Sequence, residues 1–311
     1  MSKYLNLLRI VFLTLLCIQM VSCRNNVKVD PIENINKGAL TILCDEDFRY
    51  IMNQHKDVYE NLFPGAVINF EFLSDGEIIK KLMNRSAQAA VIGRRLSAEE
   101  RANLQNIDTI IPREHLIAKD AMALIVGKSN TNFDNKPWGT FFSDIFRDPS
   151  SQLVFTDKQS GLVKSFSFIN KDLATGKIFA LDSLTAVIDY VNSNNNAIGA
   201  ISYATISDME SPEVQAILKK VKLLRINISD SSATSIAVTA SEQDIATNQY
   251  PLIRTINYVL LNPKERVGMG FVNYLMRNRG AKVFLKSGLI PAVMPERDFI
   301  LNTEGIEVKK D

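Results

Sequence analysis

Hydrophobic and polar positions are most legible between Val67 and Arg95. Val67 to Leu73 is rich in β-branched and aromatic residues, which predicts a strand. Ser74-Asp75-Gly76-Glu77 follows at once with the spacing of a capping box, in which the Ser and Glu side chains satisfy each other's backbone N–H groups. A helix is expected from there. Ile78, Ile79, Leu82 and Met83 share one of its faces, while Lys80, Lys81 and Asn84 lie away from it. Ala89 to Ile92 is a short apolar strand ending in Gly93-Arg94-Arg95. Such a βαβ unit makes its strands parallel, and open parallel sheets take ligands beyond the carboxyl ends of their strands. The Ser74 and Gly93 turns both lie at that end.

The same patterning extends in both directions. Ala39 to Cys44 reads as the first strand, and Asp45-Glu46-Asp47 as the turn into a helix with Phe48, Ile51, Met52, Val58, Tyr59 and Leu62 on its apolar face, stopped by Pro64-Gly65. Ser97 to Glu100 is a second capping box, opening a helix to Asn106, and Thr109 to Pro112 and Ala121 to Gly127 read as strands. The polar loop Lys128 to Lys136 reads as the crossing into a second lobe. There we expect a helix over Trp138 to Arg147, a strand over Leu153 to Thr156, and the turn Asp157 to Gly161 into a helix through Asn170. A helix from Ser183 to Val191, a strand from Ala197 to Ser202, a helix from Pro212 to Lys220 and a strand from Val221 to Asn227 follow. Leu252 to Leu261 is a strand-like run that returns the chain to the first lobe. Pro263 opens a helix carrying Val267, Phe271, Tyr274 and Leu275, and Gly280 begins the last helix before Ser287-Gly288. The expected fold class is α/β with two lobes: residues 38–126 in lobe one, 127–251 in lobe two and 252–311 in the return to lobe one.

Composition narrows the function. With 46% hydrophobic and 23% charged residues the chain is globular rather than disordered. A net charge of +2 is too small for a binder driven by phosphate neutralisation along nucleic acid, so no nucleic-acid partner is expected. At the start, Lys3 and Arg9 flank the apolar run Ile10 to Ile18, followed by Met20-Val21-Ser22-Cys23, which is the pattern of a secretory signal. An uncleaved anchor helix is the alternative, but the run is short of the ~20 residues of a membrane span. Residues 24–37 then form a polar tether. After Cys23 only Cys44 remains, closing an apolar strand as a small buried hydrophobe.

Five stretches, in this order along one chain, resemble the PstS-like phosphate-binding proteins of ABC transporters. They are Leu73 to Glu100, Asp120 to Asn130, Asn195 to Asp208, Tyr250 to Leu261 and Gly280 to Arg297. The signal segment resembles a bacterial lipobox, with Met20 in place of the usual Leu, and implies lipid on Cys23 and a tether to a bacterial membrane outside the cytoplasm. The resemblance implies a two-lobed type II periplasmic-binding-protein fold with a ligand cleft between the lobes, phosphate or a similar small oxyanion as ligand, and an ABC permease as partner. In the family a Ser-Gly pair followed by Thr opens a lobe-two helix onto phosphate, matched here by Ser160-Gly161-Leu162, and an Arg stands where this chain has Arg94. The departures are specific. Asp45-Glu46-Asp47 stands where a Ser/Thr-rich turn is usual, Gln88 matches the Asp that accepts a phosphate proton, Gly93 matches a Ser, and Thr156, with Lys158 nearby, stands where the family has an Arg.

Helix N-termini present unpaired N–H groups and a positive dipole end, and Arg offers a planar fork of donors, so Ser74, Gly76, Arg94, Ser160 and Gly161 are the candidate ligand-binding residues. Each has a plainer reading: Ser74 and Glu77 as a cap, Arg94 and Arg95 as solvated charge, Ser160 as an N-cap. The acidic triplet at Asp45 either complements a helix dipole or binds a cationic or hydroxyl-bearing ligand. An enzyme is not expected, since His55 and His115 sit in no metal-ligand spacing and Ser160 lacks a nucleophile elbow; a hydrolase on Asp45 and Asp47 is the remaining alternative of that class. No cofactor or metal is expected, and a monomer is. The rival to an uptake component is a sensor or protein-interaction scaffold with a different ligand or none.

Overall fold

The computed structural model describes residues 37–108, 111–169, 178–229, 235–262 and 266–295. The signal segment, Cys23 and nearly all of the tether lie outside the described residues, as do Thr109, Ile110, Asn170, Pro263 and Arg297. Strand β1 (Gly38–Asp45) leads through a short 3-10 turn, Glu46–Phe48, into α1 (Arg49–Leu62), which buries Ile51, Met52, His55 and Tyr59. β2 (Ala66–Leu73) pairs parallel to β1, and α2 (Asp75–Met83) opens on the expected capping box. Ser74 Oγ accepts from the Glu77 N–H at 3.4 Å, and Glu77 Oε2 accepts from the Ser74 N–H at 3.2 Å. β3 (Ala89–Ile92) is buried at every position and pairs parallel to β1; α3 (Ala98–Asp108) follows on the second box.

The next strand corrects the sequence reading. Ile111 and Pro112 are not in a strand, and β4 runs for fifteen residues, Arg113–Gly127. Its first part, Arg-Glu-His-Leu-Ile-Ala-Lys-Asp, is too mixed in polarity to show a buried strand, because it packs beside another strand whose residues supply the apolar contacts. After β4 come β5 (Lys136–Pro137), α4 (Phe141–Arg147), β6 (Gln152–Phe155), α5 (Gly161–Ile169), β7 (Ile178–Ala180), α6 (Leu184–Ser193), β8 (Ala197–Ser202) and α7 (Pro212–Lys220). The expected strand Val221 to Asn227 is two, β9 (Val221–Leu223) and β10 (Ile226–Ser229). β9 pairs with β4, whereas β10 leaves to form a small sheet with β5 and β11 (Ser235–Val238). α8 (Glu242–Ala246), β12 (Ile253–Leu260), α9 (Arg266–Leu275), α10 (Asn278–Lys286) and β13 (Ile290–Pro291) complete the described chain. Gly280 does not start α10. It lies within its first turn, where a Cβ would sit 2.3 Å from the Tyr274 carbonyl oxygen, so α9 and α10 approach to backbone contact there.

The main sheet runs in the order β2-β1-β3-β12-β4-β8-β6-β7, with β9 and β13 also on β4. β12 is antiparallel to both β3 and β4, and β4 is antiparallel to β8, while β6 is parallel to β7 and β8. These directions make the carboxyl ends of β2, β1 and β3 face those of β7, β6 and β8 across the middle of β4. There Arg254 of β12 stands in register with Asp120 of β4, and Met122 stands opposite Ser202 of β8. One apolar core runs under both halves, and a smaller one, including Leu43, Ile78, Leu82 and Leu104, packs α2 and α3 on the other face.

Two buried polar groups make the fold testable. Arg254 is buried and its guanidinium is held by Asp120 at 2.5 Å and Asp47 at 2.8 Å. Removing one member of a buried ion pair strands the others, so Arg254→Met should cost about 3–5 kcal/mol in urea unfolding, and a loss under about 1 kcal/mol would contradict the pairing as a structural tie. His55 is buried against the Phe284 ring at 4.1 Å, and burial pushes its imidazole down from 6.5 to about 3. Because that pKa is depressed on folding, the neutral ring stabilises the fold fully above pH 6.5 and loses this contribution as pH falls towards about 3. Between about pH 6 and about pH 4 the stability of the wild type should fall faster than that of His55→Leu, by about 1.4 kcal/mol per pH unit.

Candidate functional site

The turns after β1, β2 and β3 bring Asp45, Asp75 and Arg94 to the middle of β4, and the turns after β6 and β8 bring Ser160 and Ala204. Asp120 is the fixed point. It accepts from Ser202 Oγ at 2.8 Å, from the Ala204 N–H at 2.9 Å and from Arg254 Nε. Arg254 extends over the Phe48 ring, 5.1 Å from its centroid, and reaches Asp47. Burial alone would lower its pKa, but the charges of Asp120, Asp47 and Asp45 outweigh that and hold the guanidinium above its ordinary value. Gly93 makes room for it, since a Cβ there would lie 2.6 Å from Arg254 Nη1.

A second network centres on Asp75, fully buried at the first position of α2. One of its oxygens, Oδ2, takes Arg94 Nη2 at 2.8 Å, Arg94 Nε at 3.2 Å and, from α5 on the facing side of the cleft, Lys164 Nζ at 2.7 Å. Arg94 is further engaged by both oxygens of Glu100, at 2.7 and 2.8 Å, and by the Arg95 carbonyl at 2.9 Å. The same two elements meet through the backbone, where the Gly76 N–H donates to the Gln159 carbonyl at 3.2 Å.

Between the networks lies Gly161, the first residue of α5. A methyl group on it would rest 3.4 Å from Asp45 Oδ2, 3.6 Å from Asp75 Oδ1 and 3.7 Å from Arg254 Nη1. Those three buried atoms have no hydrogen-bond partner, although buried polar atoms are nearly always satisfied. Burial, and then the charge of Asp47, raise the Asp45 pKa well above its ordinary value, and burial also raises that of Asp47. Each cation here is paired: Arg94 with Asp75 and Glu100, Lys164 with Asp75, and Arg254 with Asp120 and Asp47. Outward from this floor opens a groove of about 1310 Å³. Nine carboxylates line it against two cations, Arg49 and Lys158, which sets a negative potential over its mouth. Among the described residues no group of three or more His, Cys, Asp or Glu is arranged to hold a metal ion.

Of the residues picked from sequence, Gly161 borders the floor, and Ser160, 4% exposed, lines the groove and accepts from the Val163 N–H at 3.3 Å as a helix cap. Arg94 is largely buried rather than solvated, but it does not line the groove, and its donors are engaged by Asp75, Glu100 and the chain. Ser74 stands on the groove wall, bonded to Glu77 at 2.9 Å, and the Gly76 N–H is spent on Gln159. Sequence reasoning missed Asp75, Asp120, Lys164 and Arg254. The legible signals were a lone Arg inside the run Tyr250 to Leu261 and an Asp opening the run Asp120 to Gly127, both expensive to bury without partners.

Comparison with known proteins agrees with this architecture. No curated protein matches the sequence. Among solved structures, a candidate phosphate ABC transporter substrate-binding protein from Clostridium perfringens, with bound phosphate, superposes with a TM-score of 0.63 at 19% identity, over 82% of this chain and 100% of the other. An ABC-type phosphate transport receptor from Vibrio cholerae gives 0.60 at 18%, over 82% and 100%. The reduced regulatory domain of OxyR2 from Vibrio vulnificus gives 0.53 at 11%, over 77% and 95%, so the likeness establishes the fold alone. The profile of the PBP superfamily domain, PBP_like_2, matches residues 31–279, and the chain, with its two lobes facing one another across β4, belongs to that superfamily.

Proposed function

We propose that this chain is an extracytoplasmic solute-binding lipoprotein, anchored through Cys23, that holds phosphate or a similar small oxyanion between its lobes and passes it to an ABC-type permease. The observation that carries the reading is the meeting of Arg94 and Lys164 on Asp75, next to Arg254 and the start of α5 at Gly161. Oriented backbone N–H groups with fixed guanidinium and ammonium donors are what an oxyanion needs once it leaves water. Once protonated, Asp45 offers a hydroxyl donor rather than a repelling charge, so anion binding should strengthen as pH falls through its raised pKa. The family and the phosphate proteins of similar fold support the solute-binding part of the reading, and binding rather than catalysis. One observation favours a second reading, a different solute: the acidic lining of the outer groove attracts cations and opposes an approaching anion.

Calorimetric titration of phosphate into refolded protein separates the two. The oxyanion reading expects saturable binding, weakened at least about tenfold by Ser160→Ala, by Arg94→Lys, which loses the planar fork, and by Gly161→Ala. At Gly161 the added methyl meets its neighbours at ordinary contact distances of 3.4 to 3.7 Å, so its melting temperature should stay close to that of the wild type while the floor is filled. Folded protein that takes up no phosphate would overturn the oxyanion reading and leave the acidic groove as the place to seek the solute.

A further inference from the structure

The donors that would hold an oxyanion already hold an anion, and it belongs to the chain. Arg94 and Lys164 both terminate on Asp75 Oδ2, and Asp75 Oδ1 points to the spot beside Gly161 at the start of α5. Asp75 comes from the turn after β2 and Lys164 from the helix after β6, so this carboxylate ties the two facing sets of strands together. The adjacent backbone bond from Gly76 to Gln159 joins the same two elements.

We infer that the Asp75 carboxylate is a built-in competitor that latches the cleft, and that an external oxyanion enters by displacing it from Arg94 and Lys164. The inference rests on the oxyanion reading for what enters, but not for the latch itself. Charge decides the order of events. Arg94 and Lys164 are already paired with Asp75, and Arg254 with Asp120 and Asp47, so an added anion would meet carboxylates rather than free donors, and burying it unpaired is very costly. Moving Asp75 out frees the donors of Arg94 and Lys164 to receive a monoanion in its place. Asp75 is the member able to leave. Glu100 is tied at both oxygens by Arg94 and also by the Ser97 N–H at 2.8 Å, and Asp120 by Arg254, Ser202 and Ala204. Asp75 has one unpartnered oxygen and sits in the first turn of α2, where a displaced carboxylate still faces the positive end of its own helix. The apparent affinity for the oxyanion is then the intrinsic one reduced by the fraction of molecules in which Asp75 is out.

Asp75→Asn keeps the shape and removes the competing charge. Phosphate should bind this variant about tenfold or more tightly than the wild type. Solution scattering before phosphate is added should show a larger radius of gyration than the wild type, returning to the compact value with phosphate. Lys164→Met, which leaves Asp75 and its turn intact, should also expand the protein but bind phosphate more weakly, because a ligand cation is lost. A folded Asp75→Asn protein with unchanged phosphate affinity and unchanged radius of gyration overturns the inference. Expansion in both variants while phosphate binds to neither of them nor to the wild type supports the latch and overturns the oxyanion reading of the preceding section.

Discussion

Two half-sheets meet carboxyl end to carboxyl end at the middle of one long strand, and that meeting concentrates buried charge at a place with little water to screen it. The Asp120–Arg254 pair answers the problem at its centre. Asp120 caps the turn after β8 through Ser202 and Ala204, and Arg254 carries the compensation across to Asp47 in the turn after β1. In this way the returning strand β12 fixes both walls of the cleft with one guanidinium. Gly93 is part of the same arrangement, because any side chain there would compete with Arg254 for space.

Asp75 extends the same logic from structure to binding. Its position at a helix start, its burial and its two cationic partners make it the counter-ion of the floor. The likeness to phosphate-binding proteins is one of fold. Asp45 and Asp75 place buried carboxylates beside Gly161, and burial raises the pKa values of Asp45 and Asp47. The outer groove keeps its acidic lining, whereas on the floor each cation is paired with a carboxylate.

Much of this was legible in the residues. The two capping boxes at Ser74 and Ser97, the apolar face of α1, and strands β1, β3 and β8 follow local periodicity that the tertiary structure had no reason to override. The first part of β4 was not legible, since its burial depends on β12, more than a hundred residues away, and neither were β7, β11 and α8, too short to show a period. The candidate site divides the same way. Ser160 and Gly161 announce themselves by their place before a helix, whereas the partners of Arg94 and Arg254 come from distant turns and only the folded register brings them together. The acidic triplet could be read either as a helix start or as a binding loop, and it serves the first role through the Asp45 cap while Asp47 also completes the Arg254 network.

The most direct test of the account is a crystal structure of the protein with arsenate, a phosphate analogue whose heavy atom is unmistakable in anomalous density. The account predicts arsenate beside Gly161, its oxygens taking Arg94 and Lys164, with the Asp75 carboxylate turned out of the cleft. Arsenate bound elsewhere, or bound there with the Lys164–Asp75 and Arg94–Asp75 pairs intact, would contradict it.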